Sequence, residues 1–212
     1  MKEKHVLFGV SPFNSKFNDK YIRKMLEWGF ENYSYVDVLH PHEEARYLLM
    51  GCGNKSNKAK KKSRAEFNRV ERITNDYLEK SGHTLSSGKI LKFSDFYAKE
   101  LYKSYVEKIR ECYEKNEEFY EICAKQTYKV INKRKDSTNK DGKVTQREID
   151  IASEYIIREI PFLIAPSALL STDNDIHISY YCSWPVADYL FDEKLPVSPQ
   201  SATKIVIKDH AC

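Results

Sequence analysis

Residues 5–17, HVLFGVSPFNSKF, constrain the fold of this chain more than any other stretch. The apolar, aromatic and β-branched residues at positions 6–10 predict a short buried strand. Pro12 fixes its own φ angle and lacks an N–H donor, so the strand must end before it. Asn14 or Ser15 is then expected to cap a helix, because apolar residues recur at helical spacing as far as residue 33.

A second apolar run at residues 35–39 follows this helix and predicts another strand. The order strand, helix, strand within about forty residues indicates a βαβ unit with parallel strands. We therefore expect a single α/β domain over residues 1–212, Rossmann-like, with a central parallel sheet. Ser11 would lie at the carboxyl end of the first strand, where such sheets bind ligands. A turn serine without a chemical role is the alternative.

The remaining elements follow from periodicity and from turn or capping signals. Thr145 and Glu148 form a capping box, and Pro161 ends the helix that it starts. Residues 133–143 are polar and turn-rich, which predicts a mobile loop. The other expected elements are helices at about residues 44–49, 56–80, 97–112 and 116–132, and strands at 89–93, 176–181 and 204–207.

The composition is that of an ordinary globular protein, with 41% hydrophobic and 31% charged residues. No apolar run approaches the roughly 20 residues that cross a bilayer, and the start does not resemble a signal peptide. The five cysteines are scattered, without a C-x-x-C pair. This usage is typical of reduced thiols, so we expect a cytoplasmic protein that does not bind membranes.

The positive charge is concentrated in the predicted helix that begins near residue 56. Residues 53–72 carry eight basic and two acidic side chains, a net charge of +6, whereas the rest of the chain sums to −2. A local basic stripe favours contact with a polyanion, although a solvated helix face is the alternative. The basic residues expected to contact phosphates are Lys58, Lys60, Lys61, Lys62, Arg64, Arg69 and Arg72.

The sequence carries little that would bind a cofactor or a metal ion. The sequence contains neither G-x-x-x-x-G-K-[ST] nor G-x-G-x-x-G, so no nucleotide cradle is predicted. His40 and His42 form an H-x-H pair, but Pro41 separates them and no further ligand is placed by spacing. We therefore expect no metal and no cofactor.

Tyr155 and Glu159 are four residues apart and share one face of a predicted helix. The apolar residues that follow Glu159 suggest a partly buried carboxylate, which requires hydrogen bonds or a cationic partner. A surface i,i+4 pair is the alternative interpretation of the spacing.

Three motifs resemble those of the cyclodipeptide synthases, which convert two aminoacyl-tRNAs into a cyclic dipeptide. They are HVLFGVSPFNSKF, EYIIREIPF and Ser179-Tyr180-Tyr181. The first is especially similar to the leucine-using members from Bacillus-type bacteria. The resemblance implies a fold like the catalytic domain of class I (tyrosyl- and tryptophanyl-type) aminoacyl-tRNA synthetases.

The same resemblance implies roles for individual residues. Ser11 would be the nucleophile, Glu159 and Tyr155 would hold the α-ammonium group of the aminoacyl moiety, and Tyr180 would take part in proton transfer. Three further matches concern substrate binding: Asn14 fits the asparagine-bearing branch, Asn132 aligns in a weaker motif near the second aminoacyl pocket, and Tyr181 stands where the family usually has His or Pro. In the family the basic helix contacts tRNA.

The ungapped comparison also implies a first aminoacyl pocket that is large and apolar. Its residues would be Leu7, Leu39, Phe93, Phe162 and Ile178, above Gly9. Charged and amide side chains would be rejected there, because a buried polar group without a partner is costly. Leucyl-tRNA is therefore the expected substrate and cyclo(Leu-Leu) the expected main product, which a tailoring enzyme could modify downstream.

Two rival functions remain open. One is a non-catalytic tRNA-binding or regulatory module that depends on the basic helix alone. The other is a serine hydrolase of small esters. The hydrolase is disfavoured because Phe13 occupies the second glycine position of a G-x-S-x-G elbow, and no histidine pairs with Ser11 by motif. A serine without a histidine is a weak nucleophile, but an aminoacyl ester on tRNA is already activated.

Overall fold

The computed structural model of the chain describes residues 3–137, 143–192, 195, 197, 199–200 and 203–210. Its centre is a five-stranded sheet in the order β3-β2-β1-β4-β5. Every pair of neighbouring strands is parallel, as the βαβ reading predicts. The strands are β1 (Glu3–Gly9), β2 (Tyr33–His40), β3 (Leu91–Lys92), β4 (Ile176–Tyr180) and β5 (Thr203–Ile207).

Helices cover both faces of this sheet, which explains why β1 is apolar at successive positions rather than at alternate ones. Leu7 contributes to a large core on one face, whereas Val6 and Phe8 contribute to a smaller core on the other. The helices are α1 (Asp19–Asn32), α2 (Arg46–Gly51), α3 (Ser56–Ser81), α4 (Glu100–Lys115), α5 (Glu117–Ser137), α6 (Gln146–Glu159), α7 (Pro161–Ile164), α8 (Pro166–Leu170) and α9 (Pro185–Phe191).

The strand order places β1 between β2 on one side and β4 on the other. The chain proceeds from β1 to β2 and β3 in one direction, and β4 and β5 then lie on the opposite side. The order therefore reverses beside β1. In open α/β sheets the crevice at the carboxyl ends of such strands is the usual ligand site. The segment after β1 and the end of β4 meet at this crevice.

Several expected boundaries were wrong, each for a local reason. The cap of α1 is Asn18, whose side chain accepts a hydrogen bond from Tyr21 N–H, and not Asn14 or Ser15. The third strand has only two residues, because the chain turns into a 3₁₀ helix at Phe93–Phe96. As a result, α4 begins at Glu100 rather than near residue 97.

The polar segment after residue 132 also differs from its prediction. Residues 133–137 continue α5 instead of starting a loop. Lys135 makes bonds of 2.7 and 2.8 Å with the carboxylate oxygens of Glu148, so a tertiary ion pair holds this last turn against α6. Residues 138–142 of the predicted loop lie outside the described residues.

The capping box of α6 is confirmed, with Thr145 and Glu148 exchanging hydrogen bonds. Cys52, Cys112, Cys123 and Cys182 form no disulfide bond in the described part of the chain. Within that part, none of the helices combines the length and the apolar character needed to span a bilayer.

Candidate active site

Ser11 lies on the turn that connects β1 to α1, directly beyond the end of the strand. Val10 N–H donates to Leu39 O over 3.0 Å, so β1 remains paired with β2 up to the residue before Ser11. Pro12 then prevents further pairing. Phe13 has a φ angle of +59°, a left-handed conformation that residues with a Cβ atom seldom adopt. The Ser11 side chain is half-buried at this corner.

Glu159 and the two tyrosines predicted beside it come together at the same edge of the sheet. The Tyr180 hydroxyl, at the end of β4, donates to Glu159 Oε1 over 3.2 Å. Tyr155, one turn before Glu159 on α6, donates a second hydrogen bond to the carboxyl group. The pair on α6 is therefore buried and contacts β4, and the surface-pair alternative is excluded.

Burial dominates the electrostatics of this cluster. It raises the pKa of Glu159 to about 7, although the hydrogen bonds from Tyr155 and Tyr180 act in the opposite direction. Burial and the neighbouring carboxylate raise the pKa of both tyrosines well above 10. Both phenols thus remain hydrogen-bond donors at neutral pH. Glu159 is poised to ionise fully when a cation enters, because an ammonium group would favour its charged form.

These four side chains line one cavity of about 120 Å³ at the crevice beside β1. The remaining wall comes from the turn after β1, from α2, α5 and α6, and from the segment after β4. Its lining residues are Pro12, Leu48, Gln126, Thr127, Val130, Arg134, Ile156, Tyr181, Cys182, Ser183 and Trp184. Among the residues that the structure describes, no histidine lines this cavity, so they offer Ser11 no imidazole base there. Elsewhere too, the described residues contain no group of three or more His, Cys, Asp or Glu side chains arranged to hold a metal ion.

Gly9 is required by the close approach of Tyr180. A Cβ atom at position 9 would lie 2.9 Å from Cε1 of the Tyr180 ring, which is shorter than real contacts. The absence of a side chain at Gly9 therefore allows Tyr180 to lie across the end of β1 and reach Glu159. Gly9 therefore contributes to the site by leaving room for the Tyr180 ring.

Two helices hold the Ser11 turn from opposite sides, and sequence reasoning missed both contacts. Arg134 of α5 donates to Pro12 O over 3.0 Å and lies 5.3 Å from the centre of the Phe13 ring. Glu66 of α3 accepts a hydrogen bond of 3.3 Å from Phe13 N–H. Arg134 lies in the segment predicted to be a mobile loop, so its contact with the turn was not expected. The only unusual feature of Glu66 in the sequence is an acidic side chain within a basic stripe, and this does not predict its contact with Phe13.

The five residues expected to form the first aminoacyl pocket are buried together on one face of the sheet but do not line the cavity. Phe93 packs on Phe162 with ring centres 5.0 Å apart and on Tyr155 at 6.2 Å. Leu7, Leu39 and Ile178 belong to the same core. The group therefore forms the apolar layer behind Tyr155. The described cavity wall is instead formed by Leu48, Val130, Ile156 and Trp184 together with polar groups.

The three remaining substrate-binding candidates lie near the cavity in different ways. Tyr181 lines the cavity, and its side chain is hydrogen-bonded to the side chain of Asn14. Asn14 Oδ1 also accepts from Lys16 N–H over 3.1 Å, so Asn14 shapes the turn after Ser11. Asn132 is half-buried on α5, two residues before Arg134, and is not part of the cavity wall.

The seven basic residues lie on α3 in two environments. Lys58, Lys61, Lys62 and Arg72 are exposed, and Lys60 and Arg64 form ion pairs with Glu43 over 3.0 and 2.5 Å. Arg69 is turned inward, where it pairs with Glu66 and donates to Phe17 O over 2.9 Å. Lys60, Lys61 and Arg64 line one open surface groove. The exposed face thus retains a positive surface, whereas Arg69 is engaged within the fold.

Comparison with known proteins gives a consistent set of relatives. The family described as "Cyclodipeptide synthase" matches residues 1–207. The cyclo(L-leucyl-L-leucyl) synthase of Staphylococcus haemolyticus is 28% identical over 91% of this chain and 82% of its own length. The enzyme of the same name from Photorhabdus laumondii is 31% identical over 92% of this chain and 84% of its own length.

Solved structures agree with the sequence relatives. A cyclodipeptide synthase from Bacillus thermoamylovorans superposes with a TM-score of 0.88 and 27% identity, covering 97% of this chain and 88% of that one. A Mycobacterium tuberculosis protein described as related to type I tRNA synthetases has the same fold, with a TM-score of 0.78, 18% identity, and 96% and 84% coverage. A synthase from Candidatus Glomeribacter gigasporarum, solved with Phe-tRNAPhe, gives 0.61 at 15% identity, covering 100% and 89%. The predicted fold class is thereby confirmed.

Proposed function

Because the chain belongs to the cyclodipeptide synthase family, we propose that it makes cyclo(L-leucyl-L-leucyl) from two molecules of leucyl-tRNA. The choice of leucine is supported by the curated relatives at 26–31% identity, each of which is a cyclo(L-leucyl-L-leucyl) synthase. The tRNA substrate is supported by the related synthase solved with Phe-tRNAPhe and by the exposed basic face of α3.

In the first half-reaction the Ser11 hydroxyl attacks the carbonyl carbon of the leucyl ester. The ester bond to the tRNA breaks, the terminal ribose oxygen leaves with the serine proton, and a leucyl ester of Ser11 is formed. The reaction exchanges one ester for another, so it needs no nucleotide, metal or cofactor to activate the acyl group. This explains how a serine without a histidine can suffice.

The ammonium group of the bound leucyl moiety is held by Glu159. A carboxylate that is buried and already accepts two phenol hydrogen bonds is a strong site for a cation once it ionises. Tyr155, fixed between the Phe93 ring and Glu159, orients that carboxylate.

In the second half-reaction the amine of another leucyl-tRNA attacks the ester on Ser11, which forms the peptide bond and releases the serine hydroxyl with a proton from the amine. Ser11 then attacks the ester that joins the dipeptide to tRNA, the ribose oxygen leaves with the serine proton, and a dipeptidyl enzyme is formed. The free amine of the dipeptide then attacks the remaining ester carbonyl, which closes the six-membered ring and releases the Ser11 hydroxyl. Tyr180, which hydrogen-bonds Glu159, would carry a proton between the amine and the leaving oxygen.

One observation carries the proposal: Ser11, Tyr155, Glu159 and Tyr180 line one cavity at the sheet crevice. The test is incubation of the purified protein with leucyl-tRNA, followed by mass spectrometry of small products. Cyclo(Leu-Leu) formed by the wild type and lost in Ser11→Ala supports the proposal. Protection of the leucyl ester without product indicates a tRNA-binding module, and release of free leucine indicates a hydrolase.

Because the proposed substrate is aminoacyl-tRNA, we propose that the protein acts in the cytoplasm. The product is a small, uncharged, apolar ring, which a downstream enzyme could modify. Such a tailoring enzyme is the second partner that we propose.

A further inference from the structure

The turn that carries Ser11 is held in a conformation that its own sequence does not favour. Phe13, two residues after Ser11, has a φ angle of +59° although it is not a glycine. Such a conformation persists only where the surrounding structure imposes it. The direction of the Ser11 hydroxyl therefore depends on the groups that hold residues 12 and 13.

Glu66 is the group that holds Phe13 from the side of α3. Its Oε1 atom accepts the Phe13 N–H over 3.3 Å, and Arg69 fixes the carboxylate through bonds of 2.9 and 3.0 Å to its two oxygens. The Glu66 side chain is only 12% exposed. Burial by itself would raise the pKa of Glu66, but the hydrogen bonds from Arg69 and Phe13 lower it below its usual range, so the acceptor is ionised.

Arg134 holds the same turn from the side of α5, where it donates a hydrogen bond of 3.0 Å to the carbonyl of Pro12. We call Glu66 and Arg134 together the clamp. The carbonyl and the N–H of the single peptide group between Pro12 and Phe13 are thus bonded to two different helices. Arg134 also lines the cavity, so its substitution would affect substrate and turn together. Glu66 does not line the cavity, which makes it the residue that isolates the effect of the turn.

We propose that Glu66 is a positioning residue that sets the Ser11 hydroxyl for attack by fixing the Phe13 peptide group. This inference rests on the proposed function for its kinetic consequence. Displacing a nucleophile by about 1 Å can cost on the order of a hundredfold in rate without weakening substrate binding. The helix whose outer face is basic would thereby also hold the nucleophile through its inner face.

Two substitutions separate hydrogen bonding from charge. Glu66→Asp keeps the charge but withdraws the oxygen by one methylene, whereas Glu66→Gln keeps an oxygen at the position facing Phe13 and removes the charge. We expect Glu66→Asp to lower kcat for cyclodipeptide formation by about tenfold or more with KM for leucyl-tRNA within about twofold. We expect Glu66→Gln to retain kcat within about threefold. Glu79→Gln, an exposed carboxylate on the same helix, is the matched control.

The kinetic measurements decide whether Glu66 positions Ser11 through the Phe13 peptide group. A wild-type kcat in Glu66→Asp overturns the proposal. A loss in Glu66→Gln as large as the loss in Glu66→Asp also overturns it, because the oxygen that Gln keeps facing Phe13 would then not preserve the rate. A change confined to KM would assign Glu66 to tRNA binding and overturn it as well.

Amide hydrogen exchange at Phe13 tests the clamp without any assumption about activity. We expect faster exchange in Glu66→Asp than in the wild type, in Glu66→Gln and in Glu79→Gln, at equal melting temperatures. Equal exchange in all four proteins overturns the proposal. If the wild type makes no cyclodipeptide, the proposed function fails, but the exchange measurement still decides whether Glu66 fixes the turn.

Discussion

At the scale of single residues, burial of the Glu159 carboxyl group lowers the stability of the fold. In the proposed function the same burial makes it a binding site for the ammonium group of the substrate. The pKa of Glu159 is raised from 4.5 to about 7 because the carboxyl group is buried, although hydrogen bonds from Tyr155 and Tyr180 act in the opposite direction. Below pH 4.5 the group is neutral in both the folded and the unfolded chain. Between pH 4.5 and 7 the folded state binds more protons than the unfolded state, so the free energy of unfolding decreases as the pH rises. Above pH 7 the whole penalty is present.

We therefore expect Glu159→Gln to stabilise the fold in a pH-dependent way. The gain should be close to zero at pH 4 and on the order of 3 kcal/mol at pH 8, as the shift in pKa implies. Urea unfolding at the two pH values measures it, with Glu79→Gln, an exposed carboxylate on α3, as the control. A gain that is equal at both pH values, or absent at pH 8, would contradict the buried carboxylate.

Gly9 acts through Tyr180, and this can be tested by a double-mutant cycle. Gly9→Ala places a Cβ atom 2.9 Å from the Tyr180 ring and should displace the hydroxyl from Glu159. We expect kcat/KM for cyclodipeptide formation to decrease by about tenfold to a hundredfold. In the Tyr180→Phe background, which lacks the hydroxyl, Gly9→Ala should cost much less. Losses that simply add would show that Gly9 acts elsewhere.

At the scale of elements, α3 has two faces with different tasks. Its inner face carries Glu66 and Arg69, which contact the Ser11 turn, and its outer face carries the exposed cations. Phosphate contact by the outer face releases counterions, so affinity for tRNA should decrease steeply with salt.

Neutralising Lys60, Lys61, Lys62 and Arg64 together should raise KM for leucyl-tRNA and flatten its salt dependence. The reason is the loss of phosphate contacts, each of which adds to the slope of log K against log salt concentration. The measurement is KM at several salt concentrations. The control carries alanine at four exposed lysines of α4 and α5, namely Lys103, Lys108, Lys115 and Lys129. An unchanged slope in the α3 variant would leave the stripe as a solvated helix face.

Local chemistry explains which elements could be predicted. The capping box of α6 and the strand run of β1 are encoded in adjacent residues, and both were predicted correctly. The last turn of α5 depends on the contact between Lys135 and Glu148, thirteen residues apart, and its polar composition indicated a loop. The same error concealed Arg134. Periodicity cannot reveal a helix end that tertiary ion pairs determine.

At the scale of the whole molecule, the parallel order β3-β2-β1-β4-β5 assembles a site from distant segments. The motifs around residues 11, 159 and 180 indicated that these segments belong together, and their meeting in one cavity follows from the reversal of strand order beside β1. The wall from Leu48 and Trp184 could not be predicted. Nothing in their local sequence encodes which helix and which loop will border the crevice.

The apolar part of the cavity wall leads to a prediction about the product. Leu48, Val130 and Ile156 offer no hydrogen-bond partner to a polar side chain, so charged and amide side chains should be disfavoured beside them. Leu, Met and Phe should be separated weakly, since one methylene is worth about 1–3 kcal/mol. We expect cyclo(Leu-Leu) as the main product in cells, with Leu-Phe and Leu-Met rings as minor ones. A main product that contains Glu, Lys, Trp or Gly would contradict this assignment.

Acid-quenched mass spectrometry of the enzyme during turnover of leucyl-tRNA tests whether Ser11 carries the acyl group as a covalent ester. Peptide mapping should locate a single leucyl or dileucyl ester on Ser11 in the wild type. Ser11→Ala should show no adduct and no cyclo(Leu-Leu), while it retains its melting temperature and its affinity for tRNA. An adduct on another residue such as Cys182, or cyclo(Leu-Leu) formation by Ser11→Ala at the wild-type rate, would contradict the account.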